Sequence, residues 1–182
     1  MTSLKRRLRA GGRLTGCWSS LCSPMAAEIM ARTGYDITMI DLEHGPGSHL
    51  DAISLMHAVT AGGGCPVIRT SSSGTVDIKR ALDSGPAGIM VPDVRNGEHA
   101  REVVARCHYP PDGVRGAAPG FIRATGFDPG SDLINGYRRF MAEDFLLIAQ
   151  VESMEALEDI DAIAGTEGID MLFVGPVDLS AS

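Results

Sequence analysis

No uninterrupted apolar run of about 18 residues occurs anywhere in the 182-residue chain, which excludes a transmembrane helix of ordinary length. The segment MTSLKRRLRAGGR is basic but has no apolar core behind it, so it does not read as a secretory signal. An excess of positive charge is also missing. The 16 basic residues against 23 acidic ones leave a net charge of −7, which argues against a nucleic-acid or anionic-membrane partner. The four cysteines, at 17, 22, 65 and 107, show neither metal-binding nor redox spacing, and a reduced, cytoplasmic setting is their simplest account. Lysine is scarcer still: with only Lys5 and Lys79, Schiff-base chemistry has two candidates, one in the basic N-terminal segment and one mid-helix. What remains is 44% hydrophobic and 21% charged, an ordinary globular composition for one domain with a sizeable core.

Short apolar runs alternate with helical patterns, the sign of βαβ units and a parallel sheet. The runs are 13–20, 37–45, 65–72, 88–94, 145–153 and 171–180, mostly continuous, as strands covered on both faces should be. Glycines at 34, 62, 85 and 165 stop several of the intervening helices. Gly62 to Gly64 follow a helix and precede a strand, the wrong order for a phosphate loop. A Gly- and Pro-rich connection from about 108 to 144, with a short helix expected over 133–144, is long enough to predict a functional loop.

Polar residues gather where each strand ends: Ser19 and Ser20, Asp41 to His44, Arg69 and Thr70, Asp93, Gln150 to Glu152, and Asp178. In a parallel α/β fold, and above all in a TIM barrel, that edge carries the active site, so an enzyme is predicted. Gln150 and Glu152 are two apart and share a face. Asp178 closes the next predicted strand, so Glu152 and Asp178 would converge as hard oxygen ligands suited to Mg²⁺ or Mn²⁺. Spacing alone leaves open that both merely cap following helices. His44, directly after a strand, would serve as a general base or as a structural histidine. Arg69 would stabilise negative charge on an oxygen or simply neutralise a carboxylate. Asp83 sits in the last turn of a predicted helix, where the dipole disfavours it.

With these residues in place, the chain resembles the HpcH/HpaI family of metal-dependent pyruvate aldolases through IDLEHGP (40–46), VIRTS (67–71), ALDSGPAGIMVPDVRN (81–96), YPPDGVRG (109–116), IAQVES (148–153) and FVGPVDLSAS (173–182). The resemblance implies a TIM (β/α)8-barrel fold and reversible cleavage of a 4-hydroxy-2-oxo acid to pyruvate and an aldehyde. It implies a divalent metal (Mg²⁺, Mn²⁺ or Co²⁺) on Glu152 and Asp178, and neither a Schiff-base lysine nor a nucleotide cofactor. His44 would be the base, Asp83 would raise its basicity, and Arg69 would steady the enolate. Gln150 and the Val177 backbone would hold the 2-oxo acid, with the Arg115 loop beside it.

Family members close eight strands with about 250 residues, whereas six βα units are legible over 1–182. The expectation is therefore one incomplete phosphoenolpyruvate/pyruvate-type barrel domain that forms a homo-oligomer. The alternatives are a 2-oxo-acid lyase or decarboxylase of the same barrel class, or a catalytically impaired remnant acting only within an oligomer.

Overall fold

The computed structural model describes residues 3–130, 132 and 135–182. Six parallel strands pair strictly in chain order: β1 (Gly16–Ser19), β2 (Ile37–Asp41), β3 (Cys65–Arg69), β4 (Gly88–Val91), β5 (Leu146–Val151) and β6 (Met171–Val174). Helices cross between them: α2 (Pro24–Arg32), α3 (His49–Ala61), α4 (Thr75–Asp83), α5 (Gly97–Cys107), α6 (Asn135–Glu143), α7 (Met154–Glu158) and α8 (Ile160–Ala164). A first helix, α1 (Leu4–Arg9), precedes the sheet, and α9 (Pro176–Ala181) follows it.

Local chemistry accounts for these elements. Ser48 and Asp51 form a reciprocal capping box at the start of α3, and Asn96 accepts the His99 N–H at the start of α5. Gly34 and Gly85 stop α2 and α4 with φ of +97° and +77°, values that a side chain disfavours. Gly62 and Gly64 serve packing: a Cβ at either would lie under 3.0 Å from the Ala31 Cβ, so their absence lets α3 close on α2.

Strand alternation makes two layers. Ile40, Ile68, Ile89, Val91, Leu147, Ala149 and Val151 face outward and pack with Ala52, Leu55, Met56, Ile78 and Val103 of the helices. Ile37, Met39, Val67, Met90, Leu146 and Ile148 face inward and pack with Leu4. The sheet curls far enough that Trp18 of β1 meets Phe173 of β6 edge-on, with ring centroids 5.8 Å apart. The architecture is a curled, six-stranded half-barrel, and eight-stranded closure is not seen among the described residues.

One expectation, the strand ends, needs correction, and two other segments gain detail. The basic N-terminal segment is a helix that plugs the lumen. Lys5 is buried and reaches Asp170 at 2.8 Å and the Met141 carbonyl at 2.9 Å, while Arg7 pairs with Asp36 at 2.5 Å. Several strands end sooner than their apolar runs: β2 stops at Asp41, and β6 stops at Val174, which puts Asp178 in the first turn of α9. The 108–144 connection contains two short 3₁₀ turns, Pro119–Phe121 and Arg123–Thr125, before α6. Of the helix expected over 133–144, positions 133 and 134 lie outside the described residues.

Candidate active site

Asp41, Arg69 and Gln150 share the inward parity of Met39, Val67 and Ile148, so β2, β3 and β5 deliver a polar layer on top of an apolar lumen. Asp41 and Arg69 are register partners. Arg69 donates from Nε and Nη2 to the two Asp41 oxygens at 2.9 and 2.7 Å, and its Nη1 lies 2.8 Å from Glu43 Oε2. Two of the five guanidinium N–H groups are thereby hydrogen-bonded, both to Asp41, while Glu43 is held as an ion pair whose Oε2 has no hydrogen-bond partner among the described residues.

Asp41 has a second task. Its Oδ1 accepts the backbone N–H groups of Glu43 and His44 at 3.1 and 3.2 Å, folding the turn after β2. This turn leaves His44 exposed on the rim, its Nε2 4.0 Å from Glu43 Oε2. Burial pushes the Asp41 carboxyl up, but the Arg69 and backbone hydrogen bonds outweigh it and hold the group below the ordinary range. Burial likewise pushes Glu43 up; the Arg69 charge offsets part of that rise, and the Glu152 carboxylate adds to it.

At the end of β5, Glu152 accepts the Asp93 backbone N–H at 2.7 Å on Oε1 and the Gln150 amide on Oε2. Ser153, not Glu152, caps α7, so the capping alternative for Glu152 falls away. Gly175 makes room here, because a Cβ would lie 2.9 Å from Glu152 Oε2. Val177 and Asp178 ride on the first turn of α9, where backbone N–H groups lack intrahelical acceptors. Glu43, His44, Asp93, Glu152 and Asp178 line one open cleft of about 360 Å³.

That donor set suits a hard divalent cation. Among the described residues no three acidic, His or Cys side chains form a closed cage. Two carboxylates that leave positions free match the open coordination Mg²⁺ prefers with a chelating substrate. The upward push of Glu152 on Glu43 is the repulsion a cation would relieve. Gln150 Oε1, buried without a hydrogen-bond partner, is a further oxygen left unsatisfied beside Glu152.

Asp83 and Arg115 are elsewhere. Helices run antiparallel to the strands, so the last turn of α4 and the loop after α5 lie at the N-terminal edge of the sheet, opposite His44. There Arg115 Nη2 donates to Asp83 Oδ1 at 2.6 Å, and the guanidinium carbon packs 4.7 and 4.8 Å from the Tyr109 and Tyr137 ring centroids, which lie 4.7 Å from each other. Among the described residues no hydrogen bond joins Asp83 to His44. Arg123 of the long connection also binds this edge, through the Ser84 and Gly85 carbonyls. Within this chain, Asp83 therefore does not orient His44, and the Arg115 loop does not border the cleft.

Comparison with known proteins identifies the family and the fold. The family model described as HpcH/HpaI aldolase/citrate lyase matches residues 14–182. A pyruvate aldolase of Rhizobium etli is 42% identical over 98% of this chain and 68% of its own length. A hydroxypyruvate/pyruvate aldolase of Delftia acidovorans is 42% identical over 97% of this chain and 64% of its own length. The crystal structure of an HpcH/HpaI aldolase/citrate lyase family protein from Burkholderia cenocepacia superposes with a TM-score of 0.91 at 39% identity, covering 100% of this chain and 72% of the other. The chain thus spans about two thirds of the length of the relatives it matches.

Proposed function

The chain belongs to the HpcH/HpaI aldolase/citrate lyase family, and we propose that it is a divalent-metal-dependent carbon–carbon lyase that reversibly cleaves a 4-hydroxy-2-oxo acid to pyruvate and an aldehyde. One observation supports this reading: the buried Arg69 guanidinium and Gln150 amide contact Glu43 and Glu152, two carboxylates of the one cleft whose rim bears His44. The relatives named pyruvate aldolase support the substrate class.

Glu152 and Asp178 would hold the cation, which when bound supplies Lewis-acid polarisation of the 2-oxo group. Gln150 and the first-turn N–H groups around Val177 bind the carboxylate end of the substrate. His44 accepts the proton of the 4-hydroxyl, directly or through one water. The O–H electron pair becomes the new C4=O bond, the C3–C4 bond breaks, and its pair passes to C3 as the enolate. The Arg69 N–H groups not bonded to Asp41 steady the oxygen on which that charge rests. A proton returned to C3 yields pyruvate, and aldol addition is the reverse. Asp41 touches neither partner; it holds Arg69 and the His44 turn in place.

The test is pyruvate release from a panel of 4-hydroxy-2-oxo acids, run beside oxaloacetate decarboxylation, with chelated and Mn²⁺-reloaded protein. Cation-dependent pyruvate release with several aldehydes as co-products is expected. Decarboxylation without aldol cleavage would assign the chain to the rival lyase chemistry.

A further inference from the structure

Trp18 has no part in the reaction just described, yet it makes the closest aromatic contact with Arg69. The guanidinium carbon lies 4.5 Å from the Trp18 ring centroid. Trp18 is in turn met by Phe173, with rings inclined at 70°. Side chains from β1, β3 and β6 thus form one stack. On its inner side is an apolar lumen cavity of about 210 Å³ that Ile37, Met39, Met90 and Ile148 help to line. On its outer side is the charged layer of Asp41, Glu43 and Glu152.

Asp41 fixes Arg69 along one hydrogen-bonding edge, through Nε and Nη2, and Glu43 pairs with Nη1 as an ion pair. They resist tilting of the guanidinium plane only weakly, because a hydrogen bond tolerates tens of degrees of bending. A ring against one face resists that tilt directly, since the negative face of an indole attracts a cation and excludes water from that side. Phe173 presses edge-on against the indole and keeps it from rotating away. Trp18 is still 38% exposed, so the stack lies at the open end of the lumen rather than in the sealed core.

We infer that Trp18 is a positioning residue for Arg69: its indole face sets the guanidinium plane so that N–H groups not bonded to Asp41 point at the oxygen on which enolate charge develops. The inference rests on the aldolase reading given above for the role of that charge. A plane that is set before reaction costs nothing to organise as the charge forms, so the effect belongs in turnover rather than in substrate affinity.

Trp18 is the only tryptophan, so its emission reports the stack directly. The experiment compares wild type, Trp18→Phe, Trp18→Leu and Arg69→Lys. Trp18→Leu should lower kcat about three- to thirty-fold, the rate equivalent of a cation–π contact, while KM for the 2-oxo acid stays within about two-fold. Trp18→Phe, which keeps a ring face, should recover most of the loss. Wild-type kcat in Trp18→Leu, or equal losses in Leu and Phe variants, would overturn the inference. Should Trp18→Leu fail to fold, emission decides: Arg69→Lys removes the planar partner and should change the Trp18 spectrum, and superimposable spectra would overturn the stack. If wild type cleaves no 4-hydroxy-2-oxo acid, the functional reading falls, and the emission comparison still judges the geometry.

Discussion

Asp41 and Arg69 face each other across the β2–β3 register, and two hydrogen bonds of 2.9 and 2.7 Å clasp the carboxylate in the guanidinium fork. The same carboxylate accepts the Glu43 and His44 backbone N–H groups, so a single side chain fixes both a strand-borne cation and the turn that carries the proposed base. Both partners are less than a tenth exposed.

Asp41→Asn should therefore cost more than a surface pair would. Removing one member of a buried ion pair leaves an undercompensated charge, worth about 3–5 kcal/mol, although Glu43 beside Arg69 softens the loss. The pH dependence has a definite sign. The folded Asp41 carboxyl lies below its ordinary value, so its stabilisation is complete above about pH 4, the ordinary Asp range, and fades as pH falls through the lower folded value. Denaturation midpoints across that acid range should fall more steeply for wild type than for the variant. Parallel midpoint curves would contradict this role.

Divalent cations should stabilise the protein through Glu152 and Asp178. Mn²⁺ or Mg²⁺ is expected to raise the melting temperature of wild type, by an amount that grows with free cation concentration, and to do so far less in Glu152→Gln and Asp178→Asn. Glu43 adds a pH signature. Its folded value is raised, so its ionisation costs stability as pH climbs from the ordinary Glu range through the raised value. A nearby cation offsets that cost, and the melting-temperature gain should increase over the same window. Equal gains in wild type and both variants would remove these residues from the cation site.

How much of this was legible in the sequence follows from periodicity. Six continuous apolar runs announced six parallel strands, although the edge strands β1 and β6 are only partly buried, and the two-residue spacing of Gln150 and Glu152 announced a shared face, because side-chain alternation is a local property. Strand ends were less legible. The turn after Asp41 depends on its carboxylate capturing two backbone N–H groups, which apolarity does not encode. Trp18 and Gly175 escaped notice because their importance is a matter of what lies across the lumen or against a neighbouring strand. Within this chain Asp83 lies apart from His44 for a topological reason: a residue in the last turn of a crossover helix belongs to the opposite edge of the sheet from a residue after a strand. Its odd position at a helix C-terminus is explained by Arg115 instead.

His44→Ala should cut turnover by about 10²–10⁴-fold, the usual contribution of a general base. The side chain is mostly exposed and makes no hydrogen bond among the described residues, so the fold should tolerate its loss. Thermal stability and the cation-induced gain should both stay near wild type. Unchanged turnover would refute the base assignment, whereas a lost cation response would recast His44 as part of the cation site.

Asp83→Asn should act on stability. The Arg115 side chain is fully buried, and among the described residues Asp83 is its carboxylate partner. Neutralising that partner leaves a buried cation facing two tyrosine rings, a loss of about 3–5 kcal/mol by analogy with other broken buried pairs. Replacing both residues together, as Asp83→Asn with Arg115→Met, should recover part of that loss. Chemical denaturation of the two single variants and the double variant measures the coupling directly. Additive losses would show that the pair is not the reason for the burial of Arg115.

The 182-residue polypeptide should also self-associate. In the described sheet β1 and β6 are the edge strands, and each presents ladder groups to one side only. Apolar side chains cluster near both edges: Leu21, Met25 and Ile29 are 74%, 75% and 57% exposed after β1, and Val174 and Val177 are 50% and 77% exposed at the end of β6. Exposed apolar surface beside unpaired strand edges favours association, and a net stability of roughly 5–15 kcal/mol leaves little margin for tolerating it. Light scattering at increasing concentration should report oligomers or aggregates, and replacing Leu21 and Val177 with lysine should shift the distribution towards smaller species. A monodisperse monomer that unfolds cooperatively and cleaves a 4-hydroxy-2-oxo acid would show instead that the curled six-stranded sheet needs no partner at either edge.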